Sequence, residues 1–168
     1  MSIQLPSRSL VMLSGPSGAG KSTFIKKNHL KSMTVSSDDL RVQVVGSKFG
    51  VVEDTLAEIP NYSSDAAIFQ LMRSIVEVRL KERLTTVVDA TLLDDKSRKS
   101  FAEIAEKYEV PCTVLMLNTP LQECLTRNLQ RKRVVEASVI ESQYQRMQWN
   151  SRYPHEVISS DETIQWVR

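Results

Sequence analysis

A glycine-rich segment near the amino terminus constrains this chain most. Residues 10–23 read LVMLSGPSGAGKST, in which a short apolar run leads into a turn and then into Lys21 and Ser22. The segment matches the spacing G-x-x-x-x-G-K-[ST]. Glycines have no Cβ, so the backbone can adopt positive φ angles and point successive N–H groups at one anion. We therefore predict a phosphate-binding loop between a buried strand and a helix.

The chemistry of a nucleoside triphosphate assigns roles within this loop. A helix that begins near Lys21 adds the positive end of its dipole to the loop. Lys21 is expected to reach the β- and γ-phosphates of ATP, and the Ser22 hydroxyl to bind Mg²⁺. The alternative is a Gly/Ser-rich loop that binds nothing. The predicted ATP contacts in the loop are Gly15, Pro16, Ser17, Gly18, Ala19, Gly20, Lys21, Ser22 and Thr23.

The composition favours a single intracellular domain. The chain has 168 residues, enough for one domain with a substantial core, and a formal net charge of +2. A charge this close to balance neither requires nor excludes nucleic acid. Cys112 and Cys124 show no C-x-x-C spacing and are expected to be reduced. No long apolar run is present, so we expect no membrane span and a cytoplasmic protein.

Apolar runs alternate with helical patterns, which predicts an α/β fold with a mostly parallel sheet flanked by helices. Strands are predicted at residues 10–13, 33–37, 85–89, 110–117 and 156–159, with a short closing element at 163–167. Helices are predicted at residues 21–28, 39–45, 65–82, 95–107, 120–133 and 136–148. Residues 46–62 show no regular pattern and are predicted to form a loop or flap. Residues 1–168 are thus expected to form one domain.

Charged residues directly follow the second predicted strand. Ligands of open parallel sheets bind beyond the carboxyl ends of the strands, so Asp38 is expected to lie beside the γ-phosphate. Asp38 there suits a general base for phosphoryl transfer, and Asp39 is the second candidate. Arg41 lies three residues further on and could hold an anionic group of the acceptor or orient Asp38. The alternative role for Asp38 is to cap a helix.

Asp89 ends the most β-branched run of the sequence, TTVVDAT at residues 85–91. A carboxylate at this position can contact Mg²⁺ directly or through water. The alternative is a local role in capping or turn formation.

The segment RNLQRKR at residues 127–133 is strongly basic. On a continuous helix Arg127 and Arg131 would share one face, and Lys132 and Arg133 follow them. Arginine suits the neutralisation of charge on a transferring phosphoryl group. We predict an arginine-bearing helical lid at about residues 127–136, in which Arg127 and Arg131 contact ATP. The alternative is a solvated basic face at the end of a helix.

Four segments together resemble one group within the P-loop kinases. They are GPSGAGKSTF, SSDDLR, VVDATLLDDKSRK and RNLQRKR. The chain resembles the polynucleotide 5′-hydroxyl kinase module of bacterial RNA-repair polynucleotide kinase-phosphatases, from about residue 10 to residue 167. The resemblance implies a P-loop NTPase-type sheet, and it implies that Lys21 and Ser22 hold ATP·Mg²⁺.

The same resemblance implies catalytic roles outside the loop. Asp38 would be the general base for a 5′-hydroxyl, and Arg41 would engage the acceptor side. Arg127, with Arg131, would form the lid over the phosphates. The catalytic residues implied are therefore Lys21, Asp38, Arg41 and Arg127.

The chain departs from the family pattern in two places. Leu92 occupies a position where many relatives have asparagine, so no polar side chain is expected there. Residues 46–62 are longer than expected and are predicted to border the acceptor channel. The predicted partner is a polynucleotide 5′-hydroxyl end, and the chain is expected to be a stand-alone kinase or a domain excised from a repair protein with phosphatase or ligase modules.

Two other functions fit the same residues. A small-molecule kinase acting on a sugar acid, an antibiotic or a nucleotide sugar would use the same base and lid. A nucleotide-dependent switch or toxin-like regulator would hydrolyse ATP slowly and present a surface to a partner. The response to added acceptors distinguishes the three functions.

Overall fold

The computed structural model describes residues 2–168 and alternates strands with helices. Its strands are β1 (Ser2–Pro6), β2 (Leu10–Ser14), β3 (Thr34–Ser36), β4 (Lys48–Val52), β5 (Thr55–Ile59), β6 (Thr86–Asp89), β7 (Cys112–Leu117), β8 (His155–Ile158) and β9 (Thr163–Val167). Its α-helices are α1 (Lys21–Lys27), α2 (Ser37–Val45), α3 (Asp65–Lys81), α4 (Asp95–Lys107), α5 (Leu121–Leu129) and α6 (Ala137–Arg146), and a 3₁₀ turn spans Lys31–Met33. Within residues 2–168, none of these helices combines the length and the apolar character that a membrane crossing requires.

The central sheet has the strand order β3-β6-β2-β7-β8, and every neighbouring pair is parallel. Strands β1 and β9 form a separate parallel pair, and β4 and β5 form an antiparallel hairpin. Helices connect the strands of the central sheet, as parallel strands require. The predicted α/β class, with a mostly parallel sheet flanked by helices, is confirmed.

Strand β2 lies in the middle of the sheet and is buried along its whole length. Successive side chains of a strand point to opposite faces, and β2 follows this rule. Leu10 and Met12 pack in a core cluster with α3 and α4, whereas Val11 and Leu13 pack in a second cluster with α1 and α5. The apolar run of β2 therefore supplies both layers of the core, which is typical of a central parallel strand.

The register of the sheet brings three strand ends to one edge. Asp89 at the end of β6 pairs in register with Leu13 of β2 and with Ser36 of β3. The loop after β2 and the start of α2 therefore emerge beside Asp89. Ser36 caps α2, because its hydroxyl accepts a hydrogen bond from the Asp39 backbone N–H at 3.5 Å. The alternative capping role for Asp38 is therefore wrong.

Residues 46–62, predicted to be an irregular loop or flap, contain the β4–β5 hairpin. The two turn residues, Glu53 and Asp54, both adopt positive φ angles, of 48° and 60°. Such turns usually use glycine or asparagine, so the sequence carries no hairpin signal here. Phe49, Val51 and Leu56 are exposed, which also hides the alternation of a half-buried strand.

The predicted helix at residues 120–133 is too long. Helix α5 ends at Leu129. Beyond it, the Asn128 side chain holds the main chain of Val135 with two hydrogen bonds, at 2.7 and 3.0 Å. The Val134 backbone N–H donates to the Glu58 carbonyl of the hairpin at 2.9 Å. These contacts turn the chain away from the helix axis, so the lid segment, residues 127–136, is helical only in its first three residues.

Arg98 of α4 is a fully buried cation beside the end of β2. Its Nη2 donates to Ser14 Oγ at 3.0 Å and to the Gln148 carbonyl at 3.2 Å, and its Nε donates to the Leu92 carbonyl at 2.9 Å. The Leu92 side chain, at the position where many relatives have asparagine, lies in the core. Arg98 therefore joins strand β2, the turn after β6 and the segment after α6.

Candidate active site

The predicted phosphate-binding loop lies between β2 and α1, and its conformation is fixed by hydrogen bonds. The Gly15 backbone N–H donates to the Thr91 carbonyl at 2.9 Å. The Ser17 backbone N–H donates to Gln143 Oε1 at 2.8 Å. Lys21 Nζ lies over the loop and donates to the carbonyl oxygens of Gly15 and Pro16, at 2.7 and 3.0 Å. The lysine therefore already lies inside the curve of the loop.

Two glycines of the loop cannot be replaced without a clash. Gly18 has a φ of 83°, and a Cβ on it would lie 2.2 Å from the Cys124 carbonyl oxygen. Gly20 has a φ of 96°, and a Cβ on it would lie 2.8 Å from Arg127 Nη1. Both angles lie in the region that residues with a side chain rarely adopt. The loop thus packs closely against α5, which carries Arg127.

Arg127 offers an unused donor at this contact. Its Nη2 forms an ion pair with Glu123, one turn earlier on α5. Its Nη1 is buried and has no hydrogen-bond partner within residues 2–168. A buried donor without a hydrogen-bond acceptor destabilises the folded protein unless a ligand supplies the acceptor. A phosphate group in the loop would supply the missing acceptor, so the residues present fit a bound nucleotide phosphate.

Asp38 lies in the first turn of α2 and contacts two arginines. Arg41 Nη1 donates to Asp38 Oδ1 at 2.8 Å, so the two side chains share one face of α2. Arg131 Nη2 lies 3.3 Å from Asp38 Oδ2. Arg131 follows the end of α5, so the predicted helical face shared by Arg127 and Arg131 is wrong, although both side chains line the same cleft.

Arg41 is almost completely enclosed by protein groups. It is 6% exposed. Its Nε and Nη2 contact Asp65 Oδ1 at the start of α3, with Nε at 3.2 Å. Its guanidinium carbon lies 4.8 Å from the centroid of the Tyr62 ring. Arg41 therefore bridges two carboxylates and rests on an aromatic ring.

Asp89 and Lys21 line the same cavity and influence each other electrostatically. Burial raises the pKa of Asp89, and the nearby Lys21 ammonium opposes this shift. Burial lowers the pKa of Lys21, and the Asp89 carboxylate opposes that shift in turn. Each group thus helps to keep the other charged in a partly desolvated place. The hydroxyl of Ser22 lines the same cleft, so oxygen ligands of the kind that Mg²⁺ prefers are present.

Two cavities border the site. A cavity of about 680 Å³ is lined by the loop and also by Asp38, Asp89, Arg127 and Arg131. A second cavity of about 550 Å³ shares Asp38, Asp89 and Arg131 with the first. The second cavity is also lined by Lys26, Lys31 and Arg133, and by Asp39, which pairs with Lys31. Asp38 therefore lines both cavities.

Sequence reasoning missed several residues of the cleft. Gln143 contacts the loop from α6, and Ser160 lies against Gly20, yet neither belongs to a motif. Asp65 was recognisable only as part of a helix start. Tyr62 belongs to the segment that was predicted to be a loop. The contacts of these residues with the loop and with Arg41 are long-range, and a short-range pattern cannot reveal them.

Comparison with known proteins gives likenesses to kinases of several kinds. The chain is 24% identical to the L-seryl-tRNA(Sec) kinase of Methanococcus maripaludis over 139 residues. The alignment covers 82% of this chain and 51% of that protein. A chain in a solved structure of the Pnkp1/Rnl/Hen1 RNA repair complex is 22% identical, with a TM-score of 0.66, over 88% of this chain and 46% of that one. A gluconokinase from Sinorhizobium meliloti 1021 is 16% identical, with a TM-score of 0.59, over 94% of this chain and 85% of that one.

These likenesses share a fold and differ in their substrates. The chain spans about half the length of the seryl-tRNA kinase and of the repair-complex chain. The model of the AAA domain family AAA_33 matches residues 10–154, which is most of the sequence. This match includes the phosphate-binding loop, both strand-end aspartates and the lid arginines. The chain therefore belongs to the AAA domain family AAA_33.

Proposed function

We propose that this chain transfers the γ-phosphate of ATP to the 5′-hydroxyl of a polynucleotide, with Asp38 as the general base. The observation that carries the proposal is the position of Asp38. Asp38 lines the cavity that contains the phosphate-binding loop, and it also lines the second cavity. A hydroxyl that enters the first cavity can therefore meet both Asp38 and a phosphate bound in the loop.

The proposed reaction uses groups that line one cavity. Asp38 accepts the proton of the attacking hydroxyl, the hydroxyl oxygen bonds to the γ-phosphorus, and the bond to the β,γ-bridging oxygen breaks to leave ADP. Lys21 and the donor Nη1 of Arg127 stabilise the charge on the transferring group. Ser22 and Asp89 would hold Mg²⁺, which would neutralise negative charge on the phosphates.

Two likenesses support an RNA acceptor. The names of the seryl-tRNA kinase and of the RNA repair complex both refer to RNA. The cytoplasmic location and the association with repair modules expected from the sequence remain part of this proposal.

A small-molecule kinase is the second candidate. The likeness to gluconokinase covers 85% of that chain, so the two domains have similar extents. In this case the acceptor would be a compact polyol. A nucleotide-dependent switch remains the third function, and it predicts ATP hydrolysis that no acceptor stimulates.

A panel of acceptors with γ-labelled ATP tests the proposal. The panel contains a short RNA and a short DNA with free 5′-hydroxyls, the same oligonucleotides with 5′-phosphates, and a set of sugars and sugar acids. We expect label on the 5′-hydroxyl oligonucleotides only. Label confined to a small polyol would overturn the polynucleotide proposal in favour of the second candidate. The variant Lys21→Met, which lacks the ammonium expected to contact the phosphates, controls for contaminating kinases.

A further inference from the structure

The pairing between Arg41 and Asp65 sets the net charge around Asp38, on the side of the cleft where the acceptor is proposed to bind. We call this the acceptor side. Arg41 and Arg131 carry two positive charges, and Asp38 and Asp65 carry two negative charges. All four residues line the same cavity. The acceptor side is therefore electrically balanced by its own side chains.

Arg41 differs in this respect from Arg127. Three nitrogen atoms of the Arg41 guanidinium already contact carboxylate oxygens, and the Tyr62 ring covers one face. Arg127 has a buried nitrogen with no acceptor within residues 2–168. A phosphate group that approached Arg41 would also approach the Asp65 carboxylate and would be repelled by it. Arg127 is thus built to receive an anion, whereas Arg41 is not.

Asp65 offers an acceptor for hydroxyl groups. Among the described residues, its two hydrogen bonds with Arg41 both use Oδ1. The side chain is 45% exposed and lines the cavity together with Tyr62 and Phe69. Oδ2 can therefore accept a hydrogen bond from a sugar hydroxyl, while the aromatic rings offer a surface for a nucleobase.

We infer that Asp65 determines acceptor specificity: it neutralises Arg41, so the group bound beside the reacting hydroxyl is a hydroxyl-bearing sugar and not a phosphate. Arg41 then positions Asp38 and does not bind an anion of the acceptor. This inference rests on the proposed function and narrows it, because a ribose has a 2′-hydroxyl for Asp65 and a deoxyribose has none. Asp65 thus favours an RNA end over a DNA end.

The test compares the protein with its Asp65→Asn variant. Asparagine keeps the size of the side chain and removes the charge that neutralises Arg41. The γ-phosphate position is first filled with AMPPNP, and inorganic phosphate is then titrated by calorimetry. We expect the variant to bind phosphate about tenfold more tightly than the unmodified protein, because one repulsive carboxylate is gone. The double variant Arg41→Gln/Asp65→Asn should lose this gain.

The second measurement uses two oligonucleotide acceptors that differ only in the sugar of the 5′ nucleotide. We expect the unmodified protein to prefer the ribose end by about tenfold in kcat/KM, since a hydrogen bond to a charged group is lost with deoxyribose. Asp65→Asn should reduce this preference to about twofold or less. Asp54→Asn, the same charge change in the exposed turn of the hairpin, should leave both the preference and the phosphate affinity unchanged.

The outcomes separate the two claims. Unchanged phosphate affinity in Asp65→Asn would overturn the neutralisation of Arg41. An undiminished ribose preference in the variant would overturn the role of Asp65 in sugar recognition. If phosphate affinity rises as expected but no oligonucleotide is phosphorylated, the electrostatic role of Asp65 holds and the proposed function fails. If Asp65→Asn does not fold, the titration is repeated with Asp65→Ser. Serine also removes the charge and is compatible with the start of a helix.

Discussion

Arg131 Nη2 lies 3.3 Å from Asp38 Oδ2, so a lid arginine contacts the carboxylate that we propose as the general base. Arg131 lines the cleft beside the phosphate-binding loop, where it could contact a phosphate instead. A direct ionic contact therefore links the predicted lid to the proposed base.

Asp38→Asn should abolish phosphoryl transfer while ATP still binds. Asparagine keeps an oxygen for the Arg41 contact but cannot accept the proton of the attacking hydroxyl. We expect kcat to fall by about 10²- to 10⁴-fold, with ATP affinity changed by only a few-fold. Steady-state kinetics and nucleotide titration measure the two effects. Asp39→Asn is the matched control, because Asp39 pairs with Lys31 and not with Arg41. Loss of turnover in Asp39→Asn alone would reverse the assignment.

Arg127→Ala should reduce kcat more than it reduces ATP affinity. The buried Nη1 lies over Gly20 at the phosphate-binding loop, where it would stabilise charge that develops during transfer. Removal of one such donor typically lowers kcat by about 10²- to 10³-fold. Lys132→Ala, in the same segment but 83% exposed at its side chain, should lose little activity. Normal kcat with weakened ATP binding in Arg127→Ala would show that Arg127 contacts the ground state only.

Gly18→Ala should destabilise the protein more than Gly46→Ala. Both glycines have positive φ angles, of 83° and 68°, so both substitutions introduce backbone strain. A Cβ at Gly18 would lie 2.2 Å from the Cys124 carbonyl oxygen, whereas a Cβ at Gly46 has nothing within 4 Å. We expect the steric contact at Gly18 to lower the unfolding free energy by about 1–3 kcal/mol in addition to the strain. Denaturant titration of both variants measures the two losses, and a loss in Gly18→Ala no larger than that in Gly46→Ala would contradict the prediction.

Mg²⁺ binding should weaken in mildly acidic buffer because of Asp89. Burial raises the pKa of Asp89 above the ordinary value of 3.8, so this carboxylate takes up a proton at a higher pH than usual. Protonation removes a ligand oxygen from the ion. Thermal unfolding with ADP, with and without Mg²⁺, at neutral and mildly acidic pH measures the effect. Asp89→Asn should show a small Mg²⁺ effect at both pH values, and an equal pH dependence in this variant would exclude Asp89.

The same pKa shift fixes the sign of the pH dependence of stability. The folded protein binds the Asp89 proton more tightly than the unfolded chain does, because the folded-state pKa is raised. The stabilisation from this group is thus fully present below the ordinary pKa and is lost as pH rises through the raised pKa. The contribution of Asp89 to unfolding free energy without Mg²⁺ should therefore decrease towards neutral pH.

The sequence predicts the central part of the site well, for a physical reason. The loop, Asp38 and Asp89 all depend on local rules, namely glycine conformations and the ends of buried strands. Parallel pairing then brings those ends to one edge of the sheet, as the register of Asp89 with Ser36 and Leu13 confirms. Short-range pattern and sheet geometry together are therefore enough to locate these residues.

The remaining parts of the site depend on contacts that no local pattern encodes. Helix α5 ends early because Asn128 holds Val135, and this changes the position of Arg131. Asp65 contacts Arg41 across 24 positions of sequence. The hairpin turns at Glu53 and Asp54 without a glycine, so its strands give no recognisable signal. Each of these features needs the folded structure before it can be seen.

The buried guanidinium of Arg98 has a consequence for the reaction, although it lies outside the cleft. Arg98 contacts the end of β2, which leads into the phosphate-binding loop, and it also contacts the segment that follows α6. Helix α6 carries Gln143, which accepts a hydrogen bond from the Ser17 backbone of the loop. Arg98 thus supports both the phosphate-binding loop and the segment after α6. Weakening of the Arg98 contacts would therefore misalign bound phosphates under conditions in which the protein is still folded.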